Sequence, residues 1–294
     1  MKEGLVSRTA MLIAASQLQA EQDAVLSRYL EPEAISISQA VLQKSGARGV
    51  LLQGLIQSSA GRYILQFFEW LLLPGLPAHF VLRKHLIRQL LEQAIRDGAS
   101  RLVVVAAGFD ALAYRTARQH PALPVVEIDF SSTQAFKKAC LSALPPCDNL
   151  YFCSADLSQQ SMTALFQANQ QLRTAGQSVV VIEGLTMYLP APKVYELLAD
   201  ARTLAGAGGQ VVCTFMLPTP DQRIAFHTAN PLVKHLLRLW REPFTWGATQ
   251  TDFEALAQGL GYSKFEFFET QAFATSINLD QRVAAGEVIA KLSA

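Results

Sequence analysis

The sequence predicts an α/β fold, in which a doubly wound, mostly parallel sheet follows a helical N-terminal region. Residues 1–97 have apolar residues at helical spacing and no strand-like runs apart from short Val/Leu stretches. From residue 101 onwards, short and continuously apolar segments alternate with helical ones, as in sheets that carry helices on both faces. We therefore expect a helical lid or substrate region over 1–97 and an α/β core over 98–294.

Five short segments are the predicted parallel strands, and two later segments predict an antiparallel hairpin at the end of the chain. The parallel strands are expected at 101–107, 125–129, 150–154, 178–183 and 209–217, and the hairpin at 263–270 and 287–292. Between them, Thr251 and Glu254 have the spacing of a capping box, which predicts a helix that ends near 259–261.

Composition excludes several classes of protein. Half of the 294 residues are hydrophobic, and the net charge is +1 with scattered Lys and Arg, which argues against a nucleic-acid surface. The four cysteines lack metal-ligand spacing and are few for a disulfide framework, so we expect reduced thiols and a cytoplasmic protein. The apolar segment 64–77 is too short to span a bilayer. It predicts a lid or core helix, with a hydrophobic substrate wall as the alternative.

The first two predicted strands end in residues suited to a nucleotide-like ligand, because open α/β sheets bind ligands at the carboxyl ends of their strands. After the first strand, the small residues of 106–108 permit close backbone approach to a ligand, although an ordinary tight turn explains them equally well. The second strand ends with Glu127 and Asp129, which alternation places on one side and which suit ribose hydroxyls. Helix capping is the alternative for one of them. Together these ends predict an adenosine-containing cofactor.

Three further charged residues belong to the same prediction. Asp156, with Leu157, follows the third strand and suits an adenine ring, or else caps a helix. Glu183 directly follows the apolar run 179–182, so its carboxylate needs a cation or several hydrogen-bond donors. Arg83 lies on the apolar line of a helix predicted over 80–97 and therefore needs an anionic partner, either a protein carboxylate or the carboxylate of a cofactor.

At these residues the sequence resembles the leucine carboxyl methyltransferase family, whose bacterial relatives include polyketide O-methyltransferases. The resemblance extends in order over about residues 80–265. Ala106 stands where the family has its first glycine. The segments that carry the resemblance are LRKH at 82–85, VVVAAGFDALAYR at 103–115, VVEIDF at 125–130 with the lysines at 137 and 138, ADL at 155–157, IEGLTMYL at 182–189 and the segment 244–262.

The resemblance implies a Rossmann-like, class I methyltransferase core that uses S-adenosylmethionine and releases S-adenosylhomocysteine. It implies that Arg83 holds the cofactor carboxylate, that Glu183 faces the methionine ammonium, and that Asp129, with Glu127, binds ribose. Tyr188 is the predicted catalytic residue beside the reacting methyl group. The predicted cofactor-binding residues are Arg83, Ala106, Ala107, Gly108, Asp110, Arg115, Glu127, Asp129, Asp156, Leu157, Glu183 and Gly184.

The expected reaction is O-methylation of a small, hydrophobic, polyketide-type acceptor, at a carboxylate or, second, at a hydroxyl. A carboxylate is already ionised at neutral pH, whereas a hydroxyl needs a base, and no histidine occupies an obvious strand-end position, although His227 or Tyr188 remain options. No metal constellation is expected. The alternatives are an NAD(P)-dependent oxidoreductase, for which the turn AAGFDA has too few glycines, and a non-catalytic protein that binds S-adenosylmethionine.

Overall fold

The computed structural model describes residues 8–157, 159–168, 176–240 and 242–294. The N-terminal part is helical, as expected. A short 3-10 helix at Leu26–Tyr29 connects α1 to α2. The five α-helices are α1 (Arg8–Glu21), α2 (Pro32–Lys44), α3 (Ala47–Gln57), α4 (Ser59–Leu72) and α5 (Leu76–Arg96).

The α5 helix leads into the sheet, and most of one side is buried. It begins at Leu76, four residues before the predicted start at Phe80. Pro77 lies in its first turn, where a missing N–H is not needed and the fixed φ of proline favours the helix. The buried side of α5 includes His79 and Arg83, which are one helical turn apart and thus point the same way.

The sheet has seven strands in the order β3-β2-β1-β4-β5-β7-β6. Pairing is parallel from β3 across to β5, and β7 runs antiparallel between β5 and β6. The strands are β1 (Arg101–Val105), β2 (Val125–Asp129), β3 (Leu150–Ser154), β4 (Ser178–Ile182), β5 (Gln210–Met216), β6 (Lys264–Glu269) and β7 (Glu287–Ser293). The predicted doubly wound, mostly parallel sheet is confirmed.

Helices cover both faces of the sheet. Val103 and Val105 of β1 belong to one apolar cluster, whereas Leu102 and Val104 belong to another on the opposite face. This division follows from the alternation of side chains along a strand. The helices are α6 (Leu112–Gln119), α7 (Ser131–Leu141), α8 (Met162–Ala168), α9 (Ala191–Ala205), α10 (Leu232–Trp240), α11 (Gln250–Gly259) and α12 (Thr270–Ser276), with a 3-10 helix at Thr186–Tyr188.

One local prediction is wrong. The α11 helix is capped by Thr249, whose hydroxyl accepts a hydrogen bond from the amide of Asp252 at 3.1 Å, and not by Thr251. The cap therefore lies two residues earlier than predicted, and the same hydroxyl donates to the Asp252 carboxylate at 2.7 Å. The predicted antiparallel pairing of the last two strands is confirmed, with α12 in the connection between β6 and β7.

Taken singly, none of the described helices is both long enough and apolar enough to cross a membrane. The consecutive helices α4 and α5 satisfy the length and composition criteria as a pair, but they meet at an angle of 85°.

Candidate functional site

A cavity of about 540 Å³ opens at the carboxyl ends of the parallel strands. Helices α1, α3, α4, α5 and α10 contribute much of the remaining wall. The structure brings eleven of the thirteen predicted site residues to this cavity, namely Arg83, Ala106, Ala107, Gly108, Asp110, Asp129, Asp156, Leu157, Glu183, Gly184 and Tyr188. Residues that are up to about one hundred positions apart therefore meet at one edge of the sheet.

The turn after β1 has an unusual backbone. Ala106 and Gly108 have φ angles of +51° and +50°, in the left-handed region that favours glycine. A Cβ built on Gly108 would have only one heavy atom, the carbonyl oxygen of Ala106, as a neighbour at 4.0 Å. The turn is thus open beside Gly108, and a ligand can approach the backbone closely there.

Asp129 at the end of β2 is held by this turn. Its Oδ2 accepts a hydrogen bond from the amide of Gly108 at 2.7 Å, and its Oδ1 accepts one from the amide of Phe130 at 2.7 Å. Burial raises the pKa of Asp129, and the two amides oppose that effect. Because a carboxylate accepts about four hydrogen bonds, Asp129 keeps acceptor capacity in the cavity wall, as ribose hydroxyls require.

Glu183 directly follows β4 and meets two cations from α5. Its Oε1 accepts hydrogen bonds from Nη2 of Arg83 at 2.6 Å and from Nζ of Lys84 at 3.0 Å. Lys84 also pairs with Asp110. Burial alone would raise the pKa of Glu183, but Lys84 and Arg83 outweigh it and lower the pKa, so the carboxylate stays ionised. The expectation that this buried carboxylate needs a cation is met by protein side chains.

Arg83 is held from its other side by Glu287, the first residue of β7. Nη1 of Arg83 donates to Oε2 of Glu287 at 2.7 Å, and the same oxygen lies 2.8 Å from Nε2 of His79. Burial would raise the pKa of Glu287, but Arg83 overcomes it and lowers the pKa to about 2. Nε of Arg83 is buried without a hydrogen-bond partner among the described residues, so the guanidinium keeps a donor.

Gly184 connects this charged cluster to the sheet. Its φ is +64°, and its amide donates to the hydroxyl of Thr214 on β5 at 2.8 Å. A Cβ on Gly184 would lie 4.0 Å from Nη2 of Arg83. The backbone at this position is therefore turned by a glycine and tied to β5, which sets where Glu183 meets α5.

Sequence reasoning missed four residues of this cluster: His79, Lys84, Thr214 and Glu287. A signal existed for Glu287, which directly precedes the apolar run 288–290 just as Glu183 directly follows another. His79 precedes Arg83 by one turn on the buried side of α5, so the same helical pattern marks it. No local pattern indicates Thr214, because its role depends on the pairing of β4 with β5.

Arg115 and Glu127 are the two predicted site residues that the structure does not bring to the cavity. Arg115 lies on α6, where its Nη1 donates to Glu92 at 3.0 Å and its Nε lies 3.2 Å from a carboxylate oxygen of Glu31. These partners satisfy its charge beside a smaller cavity of about 40 Å³, whose wall shares Lys84, Asp110 and Glu183 with the main cavity.

Glu127 is displaced by its depth in the strand. It lies two residues, about 7 Å, before the end of β2, so that α7 covers it and Lys137 donates to it at 2.5 Å. The alternation that places Glu127 and Asp129 on one side is correct, but it does not determine which of them reaches the strand end. Asp129 does.

The part of the cavity beyond the strand ends is mainly apolar. Its wall includes Leu12, Phe68, Leu72, Phe80, Leu237 and Phe244. Tyr188 also belongs to the wall, and its ring packs edge-on against Phe244 with centroids 5.4 Å apart. No histidine belongs to the cavity wall that the structure describes. Likewise, no group of described His, Cys, Asp and Glu residues has the arrangement of a metal site.

Fold and site together define the class of the protein. A sheet in the order 3-2-1-4-5-7-6 with an antiparallel β7, and with carboxylates after β2 and β4, is the arrangement of class I methyltransferases that use S-adenosylmethionine. The model of one family, described as leucine carboxyl methyltransferase, matches residues 39–202. The chain belongs to this leucine carboxyl methyltransferase family.

Individual relatives agree with this assignment. A protein from Mycobacterium marinum is 26% identical over 243 residues, which cover 81% of this chain and 74% of the relative. A protein from Mycobacterium ulcerans is 25% identical over 272 residues, which cover 87% of this chain and 83% of the relative. Both are named as S-adenosyl-L-methionine-dependent methyltransferases. The present chain is accordingly an S-adenosylmethionine-dependent methyltransferase.

Solved structures support the fold alone, because their sequence identities are low. A protein from Streptomyces avermitilis superposes with a TM-score of 0.59 at 13% identity, covering 87% of this chain and 96% of that protein. A protein from Bordetella parapertussis gives a TM-score of 0.51 at 15% identity, covering 100% and 99% of the two chains. The second alignment covers the whole of this chain and therefore includes the helical N-terminal region.

Proposed function

We propose that this methyltransferase methylates an oxygen of a small, largely apolar acceptor of polyketide type, and that the oxygen belongs to a carboxylate. The observation that carries the proposal is the division of the cavity: a charged cluster at the strand ends adjoins an apolar space whose described wall contains no histidine. An acceptor with an apolar body and an ionised end matches that division.

The charged cluster fits the methionine end of S-adenosylmethionine, which carries an ammonium and a carboxylate. Glu183 suits the ammonium, while Arg83 and Lys84 suit the carboxylate, because the cluster contains both signs of charge at short range. Asp129 suits the ribose, and Asp156 with Leu157 suits the adenine. When bound, S-adenosylmethionine supplies a methyl group on a sulfonium sulfur, an electrophile that needs no further activation.

The protein contributes chiefly by position. The acceptor oxygen forms a bond to the methyl carbon as the carbon–sulfur bond breaks, and the bonding electron pair goes to sulfur. No proton moves when the acceptor is a carboxylate. Holding the two reactants in line and in contact supplies much of the acceleration, as high effective molarities in such reactions indicate. Tyr188, at the end of the Thr186–Tyr188 helix, is proposed to orient the acceptor oxygen.

Methylation of a hydroxyl is the second candidate, and one observation favours it. Glu69 of α4 belongs to the cavity wall, and burial raises the pKa of its carboxyl group, although hydrogen bonds from the amide of Gly75 and from Gln19 oppose this. A carboxylate with a raised pKa is a better base, so Glu69 is the described group suited to accept a hydroxyl proton.

The experiment that separates the two candidates compares matched acceptors. The purified chain is incubated with methyl-labelled S-adenosylmethionine and with pairs of apolar carboxylic acids and the corresponding alcohols or phenols. The products are then treated with mild alkali, which releases labelled methanol from methyl esters and leaves methyl ethers intact. We expect labelled methanol from acid acceptors. Alkali-stable label alone would favour the hydroxyl candidate.

The dependence of the rate on pH provides a second criterion. A carboxylate acceptor is ionised throughout the range from about pH 6 to 9, so kcat should change little across it. A phenol or alcohol acceptor should instead give a rate that rises with pH as a base becomes deprotonated. Absence of transfer to every acceptor, together with tight cofactor binding, would contradict the proposal and favour a non-catalytic member of the family.

A further inference from the structure

The outer face of α4 exposes an unusual number of large apolar side chains. Eight of the fourteen such side chains that are exposed in the described part of the chain lie between residues 50 and 71. Among them, Tyr63 is 75% exposed and Trp70 is 61% exposed. We define the outer face of α4 by Tyr63, Ile64, Phe67, Phe68, Trp70 and Leu71.

These residues form a continuous surface. At 100° per residue they occupy roughly 160° of the circumference of α4. The neighbouring helix α3, which packs against α4, adds exposed Val50 and Leu51. Contiguous exposed apolar surface of this kind marks a site of interaction with a protein or a membrane.

The exposed charges in the chain segment that carries this face are basic. Between residues 44 and 72 the charged residues are Lys44, Arg48, Arg62 and Glu69. Lys44 and Arg48 are exposed, whereas the Glu69 carboxylate is turned to the protein, where it accepts hydrogen bonds from the amide of Gly75 and from Gln19. The exposed charges therefore complement an anionic surface, and a second copy of this chain would bring the same basic residues together.

The other side of α4 lines the cavity. Leu65 and Leu72 belong to the cavity wall, and Phe68 belongs both to the wall and to the outer face. One helix thus separates the apolar part of the cavity from the apolar exterior. An apolar acceptor, which would partition into a lipid bilayer, needs to pass only this helix to reach the cavity.

We propose that the outer face of α4, with Val50 and Leu51, docks on the surface of an anionic lipid bilayer, from which the acceptor enters the cavity. Aromatic and leucine side chains beside basic residues are the composition of helices that lie in the membrane interface. The docking itself stands on the exposed face and its charges, and only the entry of the acceptor rests on the proposed function.

The test measures binding of the full chain to vesicles of phosphatidylcholine with and without phosphatidylglycerol. We expect sedimentation with the anionic vesicles, reduced by added salt. The double variant Phe67→Gln/Trp70→Gln should bind at least tenfold more weakly, because two side chains that insert at the interface are lost. The variant Lys44→Gln/Arg48→Gln should lose the preference for phosphatidylglycerol, by about fivefold for each charge.

A matched control removes two exposed aromatic residues elsewhere. The variant Tyr151→Gln/Tyr195→Gln, on β3 and α9, should bind vesicles as the unaltered chain does. Phe67 and Trp70 do not line the cavity, so the first variant should keep its affinity for S-adenosylmethionine and its rate on a water-soluble acceptor.

Three results would overturn the docking proposal. The first is failure of the unaltered chain to bind anionic vesicles at low salt, and the second is equal binding by the Phe67/Trp70 variant. The third is a dimer in solution that this variant dissociates, since a second copy would then cover the face. Vesicle binding without methylation of any acceptor would support the docking while contradicting the proposed function, so the two failures are distinguishable.

Discussion

At the residue scale, the site depends on buried charges that are neutralised in a chain of contacts. Glu287 binds Arg83, Arg83 binds Glu183, and Glu183 binds Lys84. A buried charge is costly unless it is paired, and removing one partner leaves the other uncompensated. The cluster is therefore kept in one arrangement in which a cation and an anion both border the cavity, which suits a zwitterionic ligand.

Loss of either central charge should weaken cofactor binding. We expect Glu183→Gln and Arg83→Gln each to raise the dissociation constant of S-adenosylmethionine more than tenfold, since a charge-assisted hydrogen bond contributes about 1.5–3 kcal/mol. Isothermal titration calorimetry measures this, with circular dichroism to verify folding. Glu196→Gln, which removes an exposed carboxylate paired with Lys193, is the control and should leave the affinity unchanged. Unaltered affinity in folded Glu183 and Arg83 variants would refute the assignment.

The left-handed backbone conformation of Ala106 lowers the stability of the folded protein. Its φ of +51° is unfavourable for a residue with a Cβ, whereas glycine adopts it freely. We expect Ala106→Gly to increase the free energy of unfolding by about 0.5–1 kcal/mol, after the greater chain entropy of glycine in the unfolded state is subtracted. Urea unfolding measures it. Ala107→Gly is the matched control and should destabilise, because Ala107 is outside the positive-φ positions.

At the scale of elements, helix ends and strand ends determine where side chains point. Glu127 and Asp129 share one strand and one side of it, yet α7 covers the first while the second borders the cavity. In the same way, helix α11 begins after Thr249, and the second possible cap, Thr251, lies inside the helix. A difference of two residues in the position of a strand end or helix start therefore decides which side chain borders the cavity or caps the helix.

The cap of α11 gives a prediction at this scale. Thr249→Ala should lower the free energy of unfolding by about 1 kcal/mol, because its hydroxyl accepts the hydrogen bond from the amide of Asp252. Thr251→Ala, at an exposed position within the helix, should change it by less than about half of that. Thermal or urea unfolding distinguishes the two. A larger effect at Thr251 would place the cap where the sequence pattern first suggested it.

At the scale of the whole molecule, the contacts of Glu287 connect the N-terminal helical region with the last strand of the sheet. His79 and Arg83 belong to α5, before the sheet begins, and Glu287 opens the last strand. Strand β7 runs antiparallel to β5, so its first residue lies opposite Met216, at the same edge as the carboxyl ends of the parallel strands. The helical N-terminal region is thus attached to the core through buried ion pairs as well as apolar contacts.

This contact should affect stability in acid. The folded-state pKa of Glu287 is about 2, below its ordinary value of 4.5, so its contribution to stability is present above pH 4.5 and is lost as the pH falls toward 2. Glu287→Gln should therefore be less stable at neutral pH and should show a shallower loss of stability over that acidic interval. Chemical unfolding at a series of pH values measures both. An identical pH dependence in the variant would contradict the low pKa.

Much of the fold could be predicted from the sequence, because apolar strands and amphipathic helices are local patterns. All seven strands occur at the predicted segments, with ends shifted by at most two residues. The candidate site was predictable where its residues end a strand, as Asp129 does, or directly follow one, as Glu183 does. Lys84 was missed as a member of the charged cluster because nothing near it in the chain shows which partners it meets. The apolar run after Glu287 marks that carboxylate as buried, but it does not show that its partner is Arg83.

The sequence by itself determined the fold class and the residues that stand at the strand ends, since both depend on patterns within a few neighbouring residues. Only the tertiary structure decided which of those residues share the cavity. It joined Arg83 to Glu183 and Glu287, placed Glu127 and Arg115 outside, and left one face of α4 exposed. The physical reason is that ion pairs and exposure depend on contacts between elements distant in the chain, which strand order and helix packing create.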